Sequence, residues 1–69
     1  MKYFNVRVER SFKEIAWVPV KATSWDDAYR AVFRMSNEKI KELAENHQIV
    51  GYSNDIWDVG ERPVVEEVV

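Results

Sequence analysis

The chain has one histidine, His47, no cysteine, and only two glycines, Gly51 and Gly60. That inventory decides most of the chemistry open to it. A thiolate nucleophile is excluded outright. A serine nucleophile would need Ser11, Ser24, Ser36 or Ser53 brought to His47, with a third group orienting the ring, and no spacing in the sequence suggests it. His47 reads instead as a residue near a helix end, where the negative end of the dipole favours a cation. Two isolated glycines cannot make a phosphate-cradling loop. Asp55, Asp58 and Glu61 lack calcium-loop spacing and have no histidine among them. The sequence therefore points to no catalytic residue, no metal ligand and no cofactor, and to a non-enzymatic protein.

What remains is recognition by surfaces, and the charges divide along the chain. Residues 1–41 hold nine Lys or Arg against five Asp or Glu, a balance of +4, and residues 42–69 hold one Arg against seven acids, a balance of −6. Asp55, Asp58, Glu61, Glu66 and Glu67 form an acidic set suited to a basic groove on a protein partner. Arg7, Arg10 and Lys13 gather around an expected hairpin, with Arg30 and Arg34 one helical turn apart, and Tyr3 and Trp17 are able to stack on bases beside Arg7. Against nucleic acid stand the net charge of −2 and a pI near 5.3, because non-specific affinity comes from neutralising phosphates. Much of the asymmetry is also explained if the two halves meet in space and pair their charges.

The elements that would position these groups follow from periodicity. Over residues 3–10, Phe4, Val6 and Val8 alternate with Tyr3, Asn5, Arg7 and Glu9, the pattern of a strand with one face buried. Residues 15–22 repeat it, with Ala16, Val18, Val20 and Ala22 toward the core and Ile15, Trp17, Pro19 and Lys21 on the other side. Residues 11–14 connect the two as a hairpin. Pro19 lacks a ladder donor, which implies an edge strand or an outward-facing position. A helix is expected over about 24–46, capped by Ser24, with Asp26 and Asp27 in its first turn. Ser36 is able to cap a fresh helix at Asn37, so two short helices are the alternative, but one continuous helix, or one kinked near 36, is expected. Trp25, Ala28, Tyr29 and Val32 share one helical face, and Ile40, Leu43 and Ala44 make a second apolar patch. Residues 48–52 read as a short extended piece, and C-terminal strand material is expected over about 56–68.

Strand, strand, helix, strand gives a two-layer α+β domain of ββαβ(β) type, and 69 residues fit a single domain. Its core is aided by three Trp, three Tyr and three Phe. No run approaches the ~20 apolar residues of a membrane span, and the lack of cysteine suits a reducing compartment, so a cytoplasmic location is expected. One sheet face lacks an evident cover. Tyr3, Arg7 and Trp17 lie on it, residue types that dominate protein interfaces. The alternatives are a C-terminal segment folded over that face, or a homodimer pairing through the face or a sheet edge.

The opening strand, the Val18-x-Val20-x-Ala22 end of the second, and Ser24-x-x-Asp27-Ala28 at the helix start resemble the DpnD/PcfM-like family over residues 3–32. These are small proteins of bacterial mobile elements, and the resemblance implies an accessory role in phage or plasmid biology. The cysteine-free, acidic-ended build is also similar in class to phage anti-defence proteins, anti-CRISPR inhibitors among them. The implied partner is a host or viral protein, with a nucleic-acid-handling defence complex as the concrete form.

Overall fold

The computed structural model describes residues 1–11, 13–49, 51, 56–60 and 63–68. It is an α+β domain, with an antiparallel sheet of β1 (Lys2–Arg10), β2 (Glu14–Ala22), β3 (Glu45–Ile49) and β4 (Val65–Val68) and two helices, α1 (Trp25–Phe33) and α2 (Asn37–Leu43). The spatial order is β3-β2-β1-β4. The hairpin falls where alternation places it, with Phe4 opposite Val20, Val6 opposite Val18 and Arg7 opposite Trp17. Ser11 turns the chain at a φ of 46°.

The core confirms the assignment of faces. Phe4, Val6, Val8, Ala16, Val18 and Ala22 are buried beneath Ala28 and Val32 of α1 and Ile40 of α2. Small side chains on β2 let the helical layer sit close to the sheet. Trp25, grouped with that face by spacing, lies at its margin and is 44% exposed.

Two helices replace the long one. α1 stops at Phe33, and Ser36 caps α2 by accepting a hydrogen bond from the Lys39 N–H at 3.2 Å, the same device by which Ser24 caps α1 through Asp27. Ser36 in extended backbone cannot continue a helix, so the cap forces the break. α2 ends at Leu43 and not near residue 46, because Ala44 is already extended and leads into β3. The extended piece expected at 48–52 thus begins at Glu45. His47 lies in this strand and not in a helix, although its Nε2 still meets the Ala44 carbonyl at 3.2 Å.

At the C-terminal end, among the described residues, the strand expected over 56–68 is realised as β4 (Val65–Val68). Between Trp57 and Val59 the ladder reduces to a single bridge, Asp58 with Glu9. Gly60 follows at a φ of +77°, a left-handed conformation that glycine adopts without steric cost. β4 pairs with β1, Tyr3 opposite Val68 and Val6 opposite Val65. The Val-rich segment therefore extends the sheet and does not fold across its face.

Pro19 is not on an outermost strand, since β2 lies between β3 and β1. Its backbone nevertheless faces outward. The N–H groups of Arg7 and Glu9 donate to the Val64 and Asp58 carbonyls, away from β2, so Asn5, in phase with them, and its partner Pro19 turn their backbone groups away from each other. β3 pairs with β2 only from Glu14 to Trp17, which leaves Pro19 beyond its reach.

Candidate interaction surfaces

The sheet face turned away from the helices gathers side chains from every strand. β1 contributes Tyr3, Asn5, Arg7 and Glu9, and β2 contributes Ile15, Trp17, Pro19 and Lys21. The pairing adds Gln48 and Glu45 of β3, opposite Ile15 and Trp17, and Glu66 and Val68 of β4, opposite Asn5 and Tyr3. Directly opposed residues in an antiparallel pair share a face, so Arg7 lies beside Trp17 and Tyr3 beside Lys21. The Lys21 Nζ stands 5.2 Å from the centre of the Tyr3 ring, within reach of a cation–π contact. Tyr3 is 54% exposed, while Trp17 is half-buried among its sheet neighbours. Sequence spacing therefore brought Tyr3, Arg7 and Trp17 onto one surface correctly. Two cations (Arg7 and Lys21) stand there with four carboxylates (Glu9, Glu45, Glu66, and Asp58, which bridges to Glu9), so the face is mixed and not basic.

The acidic set is dispersed among the described residues. Glu66 joins the open face, but Glu67 points toward the helical side and meets Lys2 at 3.4 Å. That contact realises the expected pairing between the two halves of the chain. Asp58, bridged to Glu9 and exposed between buried Trp57 and Val59, also lies on the open face. Asp55 and Glu61 lie outside the described residues.

The basic set is also divided. Arg7 is on the open face and Lys13 in the hairpin connection, whereas Arg30 and Arg34 belong to α1 on the opposite layer, with Arg30 paired to Asp26 at 3.1 Å. Arg10 is committed elsewhere. Its Nε donates to the Glu14 Oε1 at 2.8 Å, with Nη2 on the same oxygen, and its guanidinium lies 4.1 Å from the centre of the Trp57 ring.

Arg10 thus belongs to a cluster that spacing did not reveal. Glu14 is only 5% exposed, although it was placed in the turn. Its second oxygen, Oε2, lies 2.7 Å from His47 Nδ1, and the His47 ring meets Trp57 edge-on at 5.8 Å. Burial pushes the Glu14 carboxyl up, but the hydrogen bonds and positive charge of His47 and Arg10 outweigh it and hold the group below the ordinary value of 4.5. Both carboxylate oxygens are engaged, so Glu14 acts as a clasp between Arg10 and His47. His47 faces an acceptor at each nitrogen, Glu14 on one side and the Ala44 carbonyl on the other. The one available signal was the i, i+4 spacing of Arg10 and Glu14, which across a tight hairpin brings the two ends together.

Among the described residues no group of three or more His, Asp or Glu side chains could hold a metal ion, and no helix is long and apolar enough to cross a membrane. Comparison with known proteins gives no matching family model, no matching curated protein and no matching solved structure.

Proposed function

We propose that the chain is a non-enzymatic protein-interaction module that docks through the open face of its sheet, with Trp17 as the anchor and Tyr3 and Arg7 beside it. One observation carries this reading: an aromatic ring, a guanidinium and an exposed tyrosine lie side by side on a rigid sheet surface turned away from the core. Fixed aromatics bind with little loss of side-chain entropy. The carboxylates of Glu9, Glu45 and Glu66 around them favour a partner with an apolar cleft and a basic rim. A nucleic-acid-handling defence complex of a host cell is a concrete partner of that chemistry, in keeping with the resemblance of residues 3–32 to small mobile-element proteins.

The test is capture from a nuclease-treated lysate, followed by titration of the purified partner. Trp17→Ala is expected to weaken binding about 30-fold, the loss typical of an interface anchor, with the unfolding midpoint little changed because the ring is outside the core. Binding within about twofold of the parent would remove this reading, since an anchor of this kind carries most of the affinity. A second reading, single-strand nucleic-acid binding, has the Trp17–Arg7 and Tyr3–Lys21 pairs in its favour. It predicts recovery only without nuclease, and affinity for an oligonucleotide that falls steeply with salt.

A further inference from the structure

Helix α1 carries a second aromatic surface, on the layer opposite the sheet face. Trp25, Tyr29 and Phe33 recur every four residues and therefore stand in a row along the helix. The Trp25 and Tyr29 rings stack with centres 6.0 Å apart, and Tyr29 and Phe33 follow at 6.0 Å with a tilt. The row is packed at its middle and open at both ends: Tyr29 lies against the core, while Trp25 is 44% and Phe33 64% exposed. A ladder of three rings with its last member largely in solvent is an apolar patch of the kind that marks an interaction site.

The charges beside the ladder say what fits it. Along its solvent side run Asp26, Arg30 and Arg34, acidic at the start of the helix and basic at its end. This order is complementary to its own reverse. We infer that α1 pairs with α1 of a second copy, antiparallel, about a two-fold axis through Tyr29. Trp25 of each copy then stacks toward Phe33 of the other. With a rise of 1.5 Å per residue, each Asp26 falls between Arg30 and Arg34 of the opposite copy, about 3 Å along the axis from either. The two helix dipoles also oppose, so each acidic N-terminus meets a basic C-terminus. Such an isologous contact closes on itself as a dimer and does not propagate. A phosphate-bearing partner fits worse, because the carboxylates of Asp26 and Asp27 stand among the cations.

A contact made by one nine-residue helix is expected to bury less than the about 800 Å² per partner of a stable complex, so a weak dimer is expected, with dissociation at roughly 10–500 µM. Sedimentation equilibrium of the full chain from micromolar to about 1 mM concentration reads it. Association is expected for the parent chain and is expected to weaken at least about tenfold in Phe33→Ser, a change at an exposed position that leaves the fold in place. A charge exchange tests the geometry. Asp26→Arg alone and the Arg30→Glu/Arg34→Glu variant alone each place like charges across the axis and are expected to be monomeric. An equimolar mixture of the two restores opposite charges at both ends and is expected to recover the dimer as a heterodimer. Circular dichroism confirms that each variant is folded. A parent chain monomeric at about 1 mM, a mixture that fails to associate, or a dimer abolished by Trp17→Ala but indifferent to Phe33→Ser would each overturn the proposal. The last result would place the contact on the sheet face instead.

Discussion

Trp57→Ala is expected to cost about 3–5 kcal/mol, most of the stability that this chain has. Domains carry roughly 0.05–0.15 kcal/mol per residue, which for 69 residues is roughly 3–10 kcal/mol. Trp57 is 4% exposed and closes the core at the end where the helices give little cover. It enters from a segment with no ladder of its own, fixed by the bridge of Asp58 to Glu9 and by its backbone N–H, which donates to Asn37 Oδ1 at 2.9 Å. Removing the indole leaves a cavity and strips Arg10 and His47 of the surface they pack on. Urea unfolding followed by circular dichroism checks this, and an Ala variant with an unchanged midpoint would show that Trp57 does not close the core. Trp57→Phe separates bulk from polarity. It keeps an aromatic ring and deletes a buried Nε1 that has no hydrogen-bond partner among the described residues. Its cost is expected to be well under half that of alanine.

Glu14→Ala is expected to cost about 2–4 kcal/mol, toward the lower side of what breaking a buried pair costs, because the orphaned Arg10 and His47 retain some contact with water. For a domain of this size that is a fall of roughly 10–25 °C in Tm. The same clasp gives stability a pH dependence of definite sign. The folded carboxyl lies below its ordinary value of 4.5, so the unfolded chain binds the proton more readily. The contribution is full above the unfolded value and is lost as pH falls from about 4.5 through the lower, folded value. Glu14→Gln removes this dependence while keeping the shape. Chemical unfolding of parent and Gln variant is therefore expected to differ most near neutral pH and to converge in acid. A constant difference down to the most acid pH would mean that the charge of Glu14 contributes nothing.

The hairpin and the caps were legible because their causes are local. Alternation from Phe4 to Val8 fixes which face is buried whatever follows, and Ser24 and Ser36 satisfy N–H groups only three residues away. The open face with Tyr3, Arg7 and Trp17 comes from the same alternation, so it too was readable. β3 was not. Glu45, Asn46, His47 and Gln48 have neither apolar rhythm nor strand propensity. Their strand exists because His47 reaches Glu14, a bond across 33 positions that no window on the sequence contains. Glu14 read as a turn residue for the same reason, and Arg10 read as one of the basic groups around the hairpin because nothing in the sequence marked Glu14 as its partner. Trp57 announced itself as extended but gave no sign of its depth, which depends on contacts with Arg10, Asn37 and His47, all distant in sequence. The division of the long helix was open on propensity alone and was decided by the Ser36 cap.

The unpaired half of β2 bears on how the protein avoids itself. Among the described residues, this strand has no neighbour on its outer side from Val18 onward, and a bare strand edge is a template for stacking chain upon chain into fibres. The residues whose backbone turns outward there are Pro19 and Lys21. One has no N–H to offer, and the other carries a charge that an incoming strand would have to bury or displace. A proline that is an oddity in a sheet interior thus acts as a gatekeeper, keeping a sheet that is open on one face from growing at its side.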